Sequence, residues 1–145
     1  MTEATFEAVD LSEKPFYGPR KLLLCGFPAA AQSKFKALLV MVGIEDLPLI
    51  WCAHADATES VQKLMLRPDG SGQGAESTLP RAIIAGGIRQ IELHRLMTGC
   101  RQSGMRQCLW AVLTPISEEW RLSRLLEELT AEREALAHKG NQSSG

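Results

Sequence analysis

Four short, largely apolar runs, at residues 21–25, 47–53, 81–85 and 108–113, are each followed by a stretch with helical spacing. A strand with one face in water alternates polar and apolar residues. These runs do not alternate, so both of their faces are expected to be buried. Strands alternating with helices predict an α/β fold of three layers, with a four-stranded, mostly parallel sheet between helices. Right-handed crossovers pair the first strand with the second and the third with the fourth. Setting two such βαβα halves side by side gives the strand order 2-1-3-4. The alternative is a ferredoxin-like α+β sheet. It needs a hairpin between the second and third strands, where this chain has a helix and a glycine-rich linker.

The helical stretches carry their own punctuation. Over residues 28–42, Ala31, Phe35, Leu38, Leu39 and Val42 share one face, with Gln32, Lys34 and Lys36 off it and Gly43 as the stop. Asp56 stands three residues before Glu59, a variant capping box ahead of a helix that buries Val61, Leu64 and Met65. A third helix ends at Gly104 and aligns Leu93, Leu96, Met97 and Cys100. The last is capped by Ser117, buries Leu122, Leu125, Leu126, Leu129 and Leu136, and stops at Gly140. The expected organisation is an N-terminal tail over 1–19, one α/β domain over 20–138 and a disordered tail over 139–145. The domain divides into halves 20–67 and 81–138, joined by a flexible linker at 68–80.

The halves read as one unit used twice, at an offset of roughly 60 residues. Gly26 maps to Gly86. With one residue added in the helix, Gly43 maps to Gly104, Asp56 to Ser117, Val61 to Leu122, and Leu64-Met65 to Leu125-Leu126. With the first and third strands as parallel neighbours, a crevice opens at their carboxyl ends, where open sheets of this kind bind ligands. Gly26, Phe27, Gly86 and Gly87 are therefore candidate ligand-binding residues, and the helix N-termini beside them favour a small anion.

Charge narrows the choice of partner. Sixteen Lys and Arg against seventeen Asp and Glu give a net charge of -1, which makes nucleic acid an unlikely partner. No apolar run approaches the ~18–20 residues of a membrane span, and the first residues are acidic where a secretory leader is basic. The four cysteines form no CxxC pair and read as reduced thiols, so the expected location is cytoplasmic. Residues 81–117 hold five Arg against Glu92 alone, while the last helix is acidic. A solvated face paired with that helix is the plain expectation. Its alternative is an interaction surface at Ile91, His94, Arg95 and Arg101, for a protein partner or a second copy.

No reactive constellation emerges. The run from Gly70 to Gly74 lacks the strand before and the helix after that a dinucleotide site needs, and Gly26 to Ser33 lacks the Lys-Ser/Thr pair of a P-loop. Cys52, His54 and Asp56 form the one tight group of metal-capable types, too few and too mixed for a zinc site. No cofactor, metal or catalytic residue is expected.

The stretch from Leu109 to Leu129, with Thr114-Pro115, Ser117 and Trp120 ahead of a Leu-Leu-Glu-Glu-Leu helix, resembles a bacterial family catalogued as domain of unknown function 3783. The resemblance covers 81–134, and the first half resembles the family as a decayed copy. It implies a small cytoplasmic bacterial protein and supplies no activity. The expected function is a non-catalytic binding or protein-interaction module, the alternative a small-molecule or anion binder, or an enzyme, at the Gly26/Gly86 crevice.

Overall fold

In the computed structural model, which describes residues 13–105 and 107–144, each apolar run forms one strand of a single sheet. Most of the acidic N-terminal tail (Glu3, Glu7, Asp10) and Arg106 lie outside the described residues. The elements are β1 (Lys21–Cys25), α1 (Ala29–Met41), β2 (Leu49–Cys52), α2 (Val61–Met65), β3 (Ala82–Gly86), α3 (Gln90–Gln102), β4 (Leu109–Val112) and α4 (Leu122–Ser144). Single 3₁₀ turns at His54–Asp56 and Ser117–Glu119 precede α2 and α4. The strand order is β2-β1-β3-β4, as the crossover argument requires.

Alternate residues of the strands supply two cores. Leu22, Leu24, Ile83, Ala85 and Trp51 pack under α1 and α3. Leu23, Cys25, Ile50, Ile84 and Leu109 pack under α2 and α4. Every residue of β2 and β3 is buried, which accounts for the missing alternation in the sequence. The arginine-bearing α3 and the acidic α4 thus lie on opposite faces of the sheet, so the expected charge pairing between them does not form.

One pairing differs from a wholly parallel sheet. β1 runs parallel to β2, and β3 parallel to β4, but β1 and β3 are antiparallel, from Lys21 opposite Gly86 to Cys25 opposite Ala82. The reason lies in the linker. After α2, Lys21 Nζ donates to the Arg67 carbonyl (2.8 Å), so the chain is then at the rim where β1 begins. The next residues run along the free edge of β2. Asp69 Oδ1 accepts from Leu49 N (2.8 Å), Gly70 N donates to Leu49 O (2.8 Å), and Trp51 N donates to Ser71 O (2.8 Å). This path returns the chain to the rim where β1 ends, and β3 starts from there. The segment expected to be a flexible connector is a hydrogen-bonded strap that also covers a sheet edge.

The two units meet along one line through the molecule. Leu38 lies against Gly99 between α1 and α3, Leu23 faces Ile84 in the sheet, and Ser60 bridges Arg121 ahead of α2 and α4. In all three layers the partners are sixty-one residues apart.

Local differences from the sequence reading have local causes. Gln32 is buried rather than exposed, because its amide holds the strap: Nε2 donates to Phe27 O and Ala75 O, and Oε1 accepts from Gly74 N. Asp56 accepts from Ala53 N (2.9 Å) and pairs with Arg67 (2.8 Å). The cap of α2 is instead Ser60, whose hydroxyl accepts from Lys63 N. Ser117 closes the 3₁₀ turn with Thr114 rather than capping α4. Helix α4 continues through Gly140 to Ser144 in place of the expected stop and tail; a helical glycine costs only about 1 kcal/mol. Phe16 and Tyr17 are pinned to the body, with Phe16 N on Ile88 O and the Tyr17 hydroxyl on Glu118.

Candidate functional site

Antiparallel pairing sends the two glycine corners to opposite rims. Gly86 lies beside Lys21 and Gly26 follows Cys25, five residues on from Lys21, or roughly 16 Å along the strand. The crevice expected between Gly26, Phe27, Gly86 and Gly87 is therefore not formed. Each corner is instead crossed by the chain's own lead-in to the other half. A side chain at Gly26 (φ +75°) would meet Leu79 O at 2.5 Å, and one at Gly87 (φ +64°) would meet Gly18 O and Arg20 N at 2.6 Å. Gly26 and Gly87, sixty-one residues apart, each directly follow a strand and each take positive φ.

Just inside each lead-in stands an arginine, Arg20 ahead of β1 and Arg81 ahead of β3. Their surroundings differ. Arg20 Nη1 donates to Glu92 Oε1 (2.7 Å) and Nη2 to Glu92 Oε2 (2.6 Å), a two-pronged pair, and Asp46 Oδ1 lies 3.1 Å from Nη2. Glu92 is almost wholly buried and also accepts from Arg89 N (2.9 Å). Its hydrogen bonds from Arg20 outweigh burial and hold the carboxyl down at about 2.

Arg81 has no such partner. Its Nε donates to the Gly26 carbonyl (2.9 Å) and its guanidinium carbon lies 4.5 Å over the Phe27 ring. Among the described residues no carboxylate pairs with it. Two of the four corner residues, Gly26 and Phe27, therefore help to hold this arginine, while Gly86 and Gly87 sit at the other rim.

Arg81 lies between two adjoining grooves. One, of about 520 Å³, separates α1 from the turn after α3 and is lined by Ala31, Lys34, Phe35, Leu38, Met41 and Met105. The other, of about 480 Å³, faces α4 and is lined by Gln107, Leu109, Thr130 and Arg133. Gln107 is the sole non-glycine residue with positive φ (60°) among those described. The result is a largely apolar trough with Lys34 on its α1 side, joined at Arg81 to a more polar groove that holds a second arginine, Arg133. Sequence reading missed Arg81. The signal available was the dipeptide Pro19-Arg20, which recurs as Pro80-Arg81.

The remaining candidates are scattered. His94, Arg95 and Arg101 are exposed on α3 and Ile91 is half-buried. Cys25 and Cys52 face each other across β1 and β2. The neighbouring Cys52 thiol and burial push the Cys25 thiol well up, and burial raises Cys100 to about 11 and Cys108 to about 12. Among the described residues no three His, Cys, Asp or Glu side chains are grouped to hold a metal ion, and no helix is long and apolar enough to cross a membrane.

Arg81, the last residue before β3, stands at the start of a recognisable stretch of the chain. Residues 81–136 match a family model, Domain of unknown function (DUF3783). The DUF3783 match starts at Arg81 and spans β3, α3, β4 and much of α4, one of the two βαβα units. No curated protein and no solved structure matches the chain.

Proposed function

We propose that this protein is a non-catalytic binding module, made of two copies of one βαβα unit, whose ligand site is the trough around Arg81. The observation that carries this reading is the half-buried guanidinium that faces a sizeable groove with no carboxylate partner among the described residues. A charge taken partly out of water is costly unless it is paired, and a bound anion supplies the pair. The volume beside Arg81 falls in the range of small-molecule sites, and apolar walls with few convergent polar groups are their usual lining. Four unpaired thiols support a reducing, cytoplasmic setting.

Ligand-observed NMR with a library of small amphipathic compounds tests the reading. Compounds that bind should lose their signal with Ala37→Trp, which fills the trough from the exposed side of α1, and keep it with Arg95→Ala. Binders indifferent to Ala37→Trp would count against the trough.

A second reading concerns the face of α3. Arg95 and Arg101 are exposed and have no ion-pair partner among the described residues, because the acidic α4 lies behind the sheet. Ile91, His94, Arg95 and Arg101 are proposed as a docking surface for an acidic protein partner. Reversing charge at Arg95 and Arg101 together should abolish capture of an acidic peptide while leaving small-molecule binding at Arg81 unchanged.

A further inference from the structure

We infer that the ligand of the Arg81 trough is a carboxylate carried on an apolar body; this rests on the binding reading above. The argument comes from comparing matched positions in the two units. The sixty-one-residue spacing that joins Leu38 to Gly99, Leu23 to Ile84 and Ser60 to Arg121 also relates Arg20 to Arg81. Applied to the groups around Arg20, it matches Glu92 to Ala31 and Asp46 to Gln107. Both carboxylates that satisfy Arg20 are thus replaced around Arg81, one by a methyl group and one by a neutral amide. Ala31 and Gln107 line the two grooves that meet at Arg81. The space vacated by a glutamate side chain opens onto the trough.

The neighbouring site indicates which group belongs there. Arg20 presents Nη1 and Nη2 to the two oxygens of Glu92, at 2.7 and 2.6 Å. The Nε of Arg81 is engaged by the Gly26 carbonyl, which leaves Nη1 and Nη2 without a hydrogen-bond partner among the described residues. That free edge suits a planar carboxylate held through both oxygens. The Phe27 ring lies beneath the guanidinium, its centroid 4.5 Å from the guanidinium carbon, and adds a cation–π contact. Apart from Lys34 at its exposed α1 side, the trough is walled chiefly by Phe35, Leu38, Met41 and Met105, so the body attached to the carboxylate is apolar. Methionine at two of these positions accommodates chains of varied shape.

Calorimetric titration of the full chain with octanoate, octyl sulfate and octan-1-ol tests the assignment. Octanoate should bind at least tenfold tighter than octan-1-ol, and more tightly than octyl sulfate. Arg81→Gln should reduce octanoate binding to the level of the alcohol and leave the alcohol unchanged. Ala31→Glu restores the missing carboxylate within the chain; it should exclude octanoate and raise the melting temperature, which separates lost recognition from lost folding. If octanoate and octan-1-ol bind equally, if octyl sulfate matches octanoate, or if Ala31→Glu still binds octanoate, the carboxylate assignment is overturned while the trough reading stands. If no compound binds the unaltered chain, the trough reading itself is overturned, and the assignment with it.

Discussion

Glu92 on α3 grips Arg20 ahead of β1 with both carboxylate oxygens, and so ties the two units together on the rim away from the Arg81 trough. Removing one partner leaves the other charge poorly paired. Glu92→Gln should cost about 2–3 kcal/mol at neutral pH, measured by urea unfolding. The pH dependence has a defined sign. The folded-state value of about 2 lies below the ordinary carboxylate range, so the contribution is complete above that range. It should fade as pH falls from about 4.5 towards 2. The variant should lack this part of the acid loss, and identical acid slopes in the two proteins would refute the assignment.

Gln32 fastens the strap. Its carbonyl accepts from Gly74 N at 2.7 Å, and its amide reaches the carbonyls of Ala75 and Phe27. Gln32→Ala leaves those groups without protein partners, at a cost of about 1–3 kcal/mol. Hydrogen exchange should localise the effect. Amides at 70–75 should exchange faster while those of β3 stay protected, and an unchanged strap would contradict the role given to Gln32.

Gln107, at the lip of the second groove, adopts φ 60°, a conformation costly for residues with a Cβ. Gln107→Gly should therefore stabilise the protein by about 1 kcal/mol, since glycine occupies this region without strain. A fall in melting temperature would show instead that the side chain makes a contact worth more than the strain.

The thiols should be inert in the native protein. Burial raises Cys100 to about 11 and Cys108 to about 12, and the neighbouring Cys52 thiol together with burial pushes Cys25 well up. Because the thiolate is the nucleophile, a disulfide-exchange reagent at pH 8 should label native protein very slowly. In denaturant it should titrate all four. Rapid native labelling of even one would argue against the packing at that cysteine.

Much of the architecture was legible in the chain. Apolar runs without alternation announced β1, β2 and β3 as strands buried on both faces, whereas the edge strand β4 is half-buried beyond Leu109, and crossover handedness was enough to order the four 2-1-3-4. Gly43 and Gly104 marked true helix ends, both with positive φ just after α1 and α3. Gly140, of the same residue type, ended nothing, because a stop depends on the turn that follows and not on the glycine alone.

Tertiary structure decided the direction of β3 and, through it, the site. Residues 68–80 have the composition of a loose connector, and whether Gly70 and Ser71 bond to solvent or to the β2 edge depends on groups twenty residues away. That pairing carries the chain back along the sheet, inverts β3 and parts Gly26 from Gly86. Likewise, the pattern of residues announced arginines at 20 and 81 but not their partners. A counter-charge is set by what folding brings close, and among the described residues folding brought Glu92 and Asp46 to the first but the Gly26 carbonyl and the Phe27 ring to the second.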